Sequence, residues 1–294
     1  MRKNSNSKLF NILAICVILF QVIMVYVPCL WGIAQTFKTR PNWMIDKLGL
    51  PNEPTFKAYE MFFRYFYVDV IRNGIPIKIY FERSVLYTVM YAGGTSFFQF
   101  IVQFSTAYVV YKYAHFKSSK VIFAIIVIAI NLPLPGGEIA SLKLYHSLGF
   151  YDNMFAMWLL AAHPLSFQFL LFHAAFSSIP NDLFDAAEVD GANRFTMMVK
   201  IAMPLVYGMV LLHFMGSFIT AWNNYQTCLM FMPSYPTVGY ALYKFNLASN
   251  PPDIAHTTVK LAGAFVCALP MVIVFCFLGN KMMEGVSVAG GVKG

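Results

Sequence analysis

The side chains that could do chemistry are few and scattered. Cys16, Cys29, Cys228, Cys267 and Cys276 lie in or beside apolar runs at no metal-ligand spacing and read as small buried hydrophobes. His163, His173 and His213 form no His-x-x-x-His pair and have no carboxylate companion, so no metal site is expected. No Ser-His-Asp, Cys-His or paired-carboxylate set presents itself, so no catalytic residue is expected. No Gly-x-x-x-x-Gly-Lys-Ser/Thr segment occurs either, so the chain has no phosphate-cradling loop of its own for ATP. Milder polar groups remain. Gln99 and Gln103 sit four apart on one helix face, and Asn131, Gln168 and the histidines are scattered. Each can make an interhelical hydrogen bond or line a wet, uncharged pathway.

One stretch is different. Ser177-Ser178-Ile179-Pro180-Asn181-Asp182-Leu183-Phe184-Asp185-Ala186-Ala187-Glu188-Val189-Asp190-Gly191-Ala192 combines acids, small residues and a helix stop. Pro180 suits a first helical turn, and Asp182 and Asp185 sit where the helix dipole favours anions. Leu183, Ala186 and Ala187 make a narrow face of mostly small residues. Gly191 suits a left-handed C-terminal position. Asn193 can cap a second helix with Phe195, Met198, Val199 and Ala202 on one face, and Pro204 leads into the next apolar run. Two short helices bent at a glycine and tied at both ends are either a solvated connector or a knob that docks in a partner's groove.

The elements that position this segment are apolar. The chain has 294 residues, 59% hydrophobic and only 12% charged, against about 25% charged in a soluble domain. Its solvent is therefore largely lipid. Six runs approach the roughly 20 residues that span a bilayer: about 9–34, 84–111, 119–136, 153–177, 203–232 and 258–279. The third is short and closes on a Pro- and Gly-rich stretch. The expected fold is an all-α polytopic membrane protein, a single domain over 1–294. It has an outer loop at 35–83 carrying a short amphipathic helix, an inner loop at 178–202 and a tail at 280–294. The first run, from Leu9 to Ala34, is too long for the apolar core of a signal peptide and is expected to be retained. The net charge of +8 falls beside apolar runs, not in one stripe, which points to membrane edges and not to nucleic acid. With the first loop set aside as a small translocated domain, the positive charges place both termini in the cytosol. The spans carry almost no charge at their centres, which counts against an ion-coupled transporter. Any uphill work would need another subunit.

Asp185-Ala186-Ala187, Asp190-Gly191-Ala192, Phe195, Ile201 and Pro204 resemble the EAA loop of ABC importer permeases, with Asp185 in place of the usual Glu. Three other segments resemble the maltose-type carbohydrate uptake family. They are Gly216-Ser217 with Ala221-Trp222-Asn223-Asn224-Tyr225, the stretch Pro54–Tyr59, and the tail Glu284–Gly294, one residue longer than the family ending. The tail is of the kind found in the second of two sugar-permease subunits. The resemblance implies a type I ABC importer permease, multi-pass in a bacterial plasma (inner) membrane. It would take up a mono- or oligosaccharide, bind no cofactor itself, and leave ATP and Mg to partner subunits. Its implied partners are a second homologous permease, an ATP-binding subunit dimer, an extracellular solute-binding protein and the lipid bilayer.

On this likeness Asp185, Ala186, Ala187, Asp190, Gly191, Ala192, Phe195, Ile201 and Pro204 couple ATP hydrolysis to alternating access through the loop 180–202. Gly290, Gly291 and Lys293 are candidate tail contacts with the ATPase. Trp222, Asn223 and Asn224, about 27 Å along a helix from Pro204, are expected near the outer face. There they would anchor the helix or, with Gln99, Gln103 and Asn131, line a substrate path. A permease for a non-sugar solute, and a non-transporting membrane scaffold or enzyme, are the alternatives.

Overall fold

The computed structural model describes residues 3–72, 74–132, 137–248 and 256–290, and it is mostly helical. The helices are α1 (Lys3–Thr36), α2 (Arg40–Ile45), α3 (Lys57–Tyr65), α4 (Phe81–Lys112), α5 (Lys117–Asn131), α6 (Gly137–Ser147), α7 (Met154–Ala161), α8 (Phe167–Ser177), α9 (Asn181–Val189), α10 (Arg194–Met197), α11 (Met203–Leu205), α12 (Tyr207–Asn223), α13 (Gln226–Phe231), α14 (Val238–Leu247) and α15 (Thr257–Gly290). A π turn, Met198–Ala202, links α10 to α11. An antiparallel hairpin pairs β1 (Tyr67–Arg72) with β2 (Ile75–Tyr80) in the register Tyr67↔Tyr80 to Arg72↔Ile75.

The chain packs as two compact units, Met1–Phe66 with Leu242–Leu269, and Tyr67–Ala241 with Pro270–Gly294. In the first, the aromatic face of α3 supplies the core. Phe62 and Phe66 are fully buried, and Phe62 stacks edge-on to Phe245 at 5.5 Å. Gly263 lets α15 approach so closely that an added Cβ would lie 2.8 Å from the Phe62 ring. In the second unit α4 is the central post, packed on α7, α8 and α12. Its Phe104 meets Phe172 at 5.3 Å and Phe176 at 5.0 Å, and the ring of Trp158 on α7 lies directly against Gly94.

Three of the expected spans are single continuous helices that are long and apolar enough to cross a membrane. These are Phe10–Thr36, Phe81–Lys112 and Thr257–Phe277, and the bent pair Arg194–Leu205 with Tyr207–Asn223 makes a fourth if taken as one. The other expected runs are subdivided. The run 119–136 is α5, which ends at Asn131, and residues 133–136 lie outside the described residues. The run 153–177 is α7 and α8, separated around His163-Pro164, because proline lacks the N–H of a helical bond and forces the residue before it out of helical geometry. The run 203–232 holds α11, α12 and α13, with an 82° bend where α12 begins.

The all-α expectation needs one correction. The stretch 67–80 forms the hairpin, its turn carrying Gly74 at φ +78°. The Asn73-Gly74 pair between two runs rich in Val, Ile and Tyr is a strong hairpin signal. The loop 35–83 is accordingly a built region of α2, α3 and the hairpin, and the expected amphipathic helix in it is α3.

Candidate functional site

The acidic loop folds as two helices about a glycine. α9 begins one residue later than expected, with Pro180 at the capping position and Asn181 as its first residue. It closes in a Schellman turn: Ala192 N–H donates to Ala187 O at 2.9 Å and Gly191 N–H to Glu188 O at 3.1 Å. Gly191 stands at φ +80° with open space around it. Only the backbone conformation therefore demands glycine there. Asn193 Oδ1 accepts Thr196 N–H at 2.8 Å and caps α10.

Two residues that the sequence reading did not single out fasten the loop to the bundle. Phe184 and Met197 are fully buried. Phe184 sits 6.2 Å from the ring of Tyr108 and 6.3 Å from that of Tyr111, with Lys112 Nζ 5.0 Å from its ring centre. Tyr111 also donates its hydroxyl to Asn181 Oδ1 at 3.0 Å. Phe184, the one large ring among small and acidic neighbours, was the available sequence signal.

The nine motif residues divide by direction. Ala187, Ala192 and Ile201 pack against the aromatic core. Asp185, Ala186, Asp190, Gly191, Phe195 and Pro204 are exposed. The expected single faces are divided in the same way. Leu183 and Ala186 point out while Ala187 points in, and in the second helix Met197 and Ala202 are buried while Phe195 is 69% exposed. Val189 is 89% exposed. The outer surface of the loop therefore presents apolar residues (Leu183, Val189, Phe195) among acids (Asp182, Asp185, Asp190). The π turn that ends at Ala202 precedes Pro204, whose missing N–H cannot continue the helical ladder.

Residues 2–287 match the family described as binding-protein-dependent transport system inner membrane component. The chain belongs to that family. This permease is 25% identical over 282 residues to a galactooligosaccharides transport system permease protein of Bacillus subtilis, an alignment covering 94% of this chain and 93% of the relative. It is 26% identical over 179 residues to a probable ABC transporter permease protein of Pyrococcus horikoshii, covering 60% of this chain and 64% of the relative, somewhat under two thirds of its length. In fold it is similar to a chain of a bacterial ABC transporter involved in the import of the acidic polysaccharide alginate. That match has a TM-score of 0.75 and 19% identity, and covers 95% of this chain and 98% of the other.

The polar residues expected along a path are not gathered into one place in this permease. Gln103 is 1% exposed, and its Nε2 donates to His163 O at 3.3 Å. It thereby takes up a carbonyl released where α7 and α8 separate. Gln99 is half-buried. Asn131 is exposed and donates to Val127 O in its own helix at 2.8 Å. Trp222 is 4% exposed and tilts against Phe218 at 5.9 Å. Asn223 donates to Ile219 O at 2.9 Å, and Asn224 Oδ1 accepts Thr227 N–H at 2.9 Å where α13 starts. These contacts finish helix ends. A cavity of about 200 Å³ lies elsewhere, lined by Gln168, Phe172, His213 and Gly216 among others. There His213 Nε2 meets Ser96 O at 3.2 Å while Nδ1 has no hydrogen-bond partner. No group of metal-binding residues occurs among the described residues. Of the candidate tail contacts, Gly290 is the last residue of α15, and Gly291 and Lys293 lie outside the described residues.

Proposed function

We propose that this permease imports a saccharide and that the loop 180–202 is where force from partner ATPases enters. The observation that carries the reading is the loop's two-sided construction. Phe184, Met197 and Ala202 hold it to the bundle, while Asp185, Ala186, Val189 and Phe195 stand free on the other side. A knob so built moves with the helices it is bolted to, which suits rigid-body alternating access.

In this reading the chain is one permease domain with six crossings and both termini in the cytosol, in a bacterial inner membrane. The crossings are α1, α4, α5, the pair α7–α8, the run from α11 to α13, and α15. A second permease, an ATP-binding subunit dimer and an extracellular solute-binding protein complete the importer. ATP and Mg bind to the ATPases, and Gly290, Gly291 and Lys293 reach towards them. Likeness to a galactooligosaccharide permease, and the shared fold with an alginate importer, support a sugar cargo.

The test is ATPase activity of the complex reconstituted with its binding protein and challenged with a panel of saccharides. Stimulation by a saccharide that Gly191→Val abolishes, with membrane insertion intact, is the expected result. Failure of every saccharide to stimulate removes the sugar assignment. Stimulation unchanged in Gly191→Val removes the coupling assignment.

A further inference from the structure

The turn after α2 is built the other way round from a solvated loop. In the turn from Asp46 to Gly49 the backbone polar groups of Asp46, Leu48 and Gly49 are consumed internally. Asp46 N–H donates to Asn42 O at 3.0 Å, and Leu48 and Gly49 N–H both donate to Asp46 Oδ1, at 3.0 and 2.9 Å. The carbonyls of these three residues are taken as well. Lys38 Nζ donates to Asp46 O at 2.7 Å, Trp31 Nε1 to Leu48 O at 3.1 Å and Gln35 Nε2 to Gly49 O at 3.1 Å. Gln35 and Lys38 are themselves buried. The apolar side chains of the same turn point outward, Ile45 88%, Leu48 80% and Leu50 74% exposed, with the charged Asp46 and Lys47 exposed between them.

Water rewards the reverse arrangement, exposed backbone and hidden hydrocarbon. A bilayer boundary rewards this one, because lipid offers no partner to an open N–H or C=O. Two of the three carbonyl tethers, Trp31 and Gln35, come from the last turns of α1. Trp31 lies about 7 Å short of the helix end at 1.5 Å per residue. α1 is itself exposed and apolar from Phe10 to Trp31, so the turn continues a surface that faces lipid. Lys47 Nζ stands 5.4 Å from the Trp43 ring centre, a cation and an indole together, as suits the headgroup level.

We infer that residues 45–50 are an interfacial hook whose occupant is the bilayer. Ile45, Leu48 and Leu50 enter the acyl boundary of the leaflet at the C-terminal end of α1, and Lys47 stays among the headgroup phosphates. The hook fixes the depth of α1 and of the 37–66 region it carries. The inference rests on α1 crossing the bilayer and holds for either orientation of the chain.

Site-specific photocrosslinking of the whole complex tests it, in vesicles of phosphatidylethanolamine and phosphatidylglycerol. Ile45, Leu48, Leu50 and, in the middle of α1, Leu19 are each replaced by benzoylphenylalanine. Lipid adducts at Ile45, Leu48 and Leu50, identified by mass spectrometry, are the expected result. Adducts to the second permease or to the binding protein at these positions, or no lipid adduct at any of them, overturn the hook. Leu19 separates the two levels of the argument. If it reacts with neither lipid nor a membrane subunit, α1 does not cross the bilayer and the underlying reading fails. If it reacts while the three hook positions yield no lipid adduct, only the hook fails.

Discussion

The turn at 46–50 and the loop at 181–204 both display apolar side chains next to an acid, yet they spend the acid in opposite ways. Asp46 is exposed but folds back on its own turn, where its Oδ1 takes two backbone N–H groups. Ile45, Leu48 and Leu50 stand out beside that occupied carboxylate and Lys47, a mixed surface suited to the lipid headgroup boundary. Asp185 turns outward and forms no side-chain hydrogen bond among the described residues. Around it Asp182, Asp190, Val189 and Phe195 are exposed too. That surface keeps both charge and apolar area available, which suits a protein socket. Exposure of apolar residues alone therefore does not identify a partner. The disposition of the neighbouring acid and of the backbone polar groups does.

The largest expected effect breaks the docking half of this comparison. Gly191→Val forces a β-branched residue into left-handed backbone at a cost of about 1–2 kcal/mol. The loop can escape only by re-aiming α10. We expect ligand-stimulated ATPase to be lost in the reconstituted complex. Gly191→Asn, which tolerates that conformation, should retain most of it. Equal activity of the two variants would show that the bend is not needed.

Phe184→Ala follows. It removes a fully buried ring from between α9 and α4, and buried Phe→Ala changes cost about 3–5 kcal/mol. The cost falls on attachment of the loop, so proteolysis within 181–204 should accelerate while the apolar spans stay inserted. Asp185→Lys alters only the free face. Stability should change by no more than about 0.5 kcal/mol, while ATPase coupling falls. A large stability loss in Asp185→Lys would mean that the acid serves the fold and not a partner.

Much of the loop was legible because its signals are local. Asn193 as a cap, Gly191 as a left-handed stop and the acids at the start of α9 each depend on neighbours within a few residues. The long helices α1, α4 and α15 were legible from apolar length. The rest depends on contacts distant in sequence. Pro164 was visible, but the separation of α7 from α8 becomes tolerable only because Gln103, from another helix, supplies a donor to His163 O. The same contact gives Gln103 a structural partner that its spacing from Gln99 did not announce. Trp222 was placed near an outer face by counting along one continuous helix. Its burial, which that count does not address, follows from close packing, since the backbone of Trp222 and Asn223 lies 3.0–3.2 Å from where a Cβ on Gly239 would be. Phe184 and Met197 fill holes made by other helices, and no spacing within the loop announces those holes. The hairpin is the exception, since Asn73-Gly74 announced it locally.

The smallest effect sharpens the lipid-facing half. The N–H groups of Gly49 and Leu48 hold the Asp46 carboxyl below its ordinary range, with the Lys38 ammonium adding to them. A carboxylate whose folded-state value is depressed stabilises the fold fully above its unfolded value, about 3.9 for Asp. That contribution drains away as the pH falls through the lower, folded value. The turn should therefore be insensitive between neutral pH and about pH 5 and loosen only in stronger acid. When Asp46 is protonated, Leu48 and Gly49 N–H lose a charged acceptor, and the Trp31 tether to Leu48 O loosens with them. Trp31 emission in vesicles, followed on acidification with the other three tryptophans replaced, should shift below about pH 4 in the native sequence. In Asp46→Asn, whose amide oxygen accepts the same N–H groups without titrating, the shift should be absent. A shift of the same size in both proteins would detach the hook's geometry from the ionisation of Asp46. The local satisfaction of the backbone, which distinguishes this turn from the 181–204 loop, would then rest on the tethers from Trp31, Gln35 and Lys38 alone.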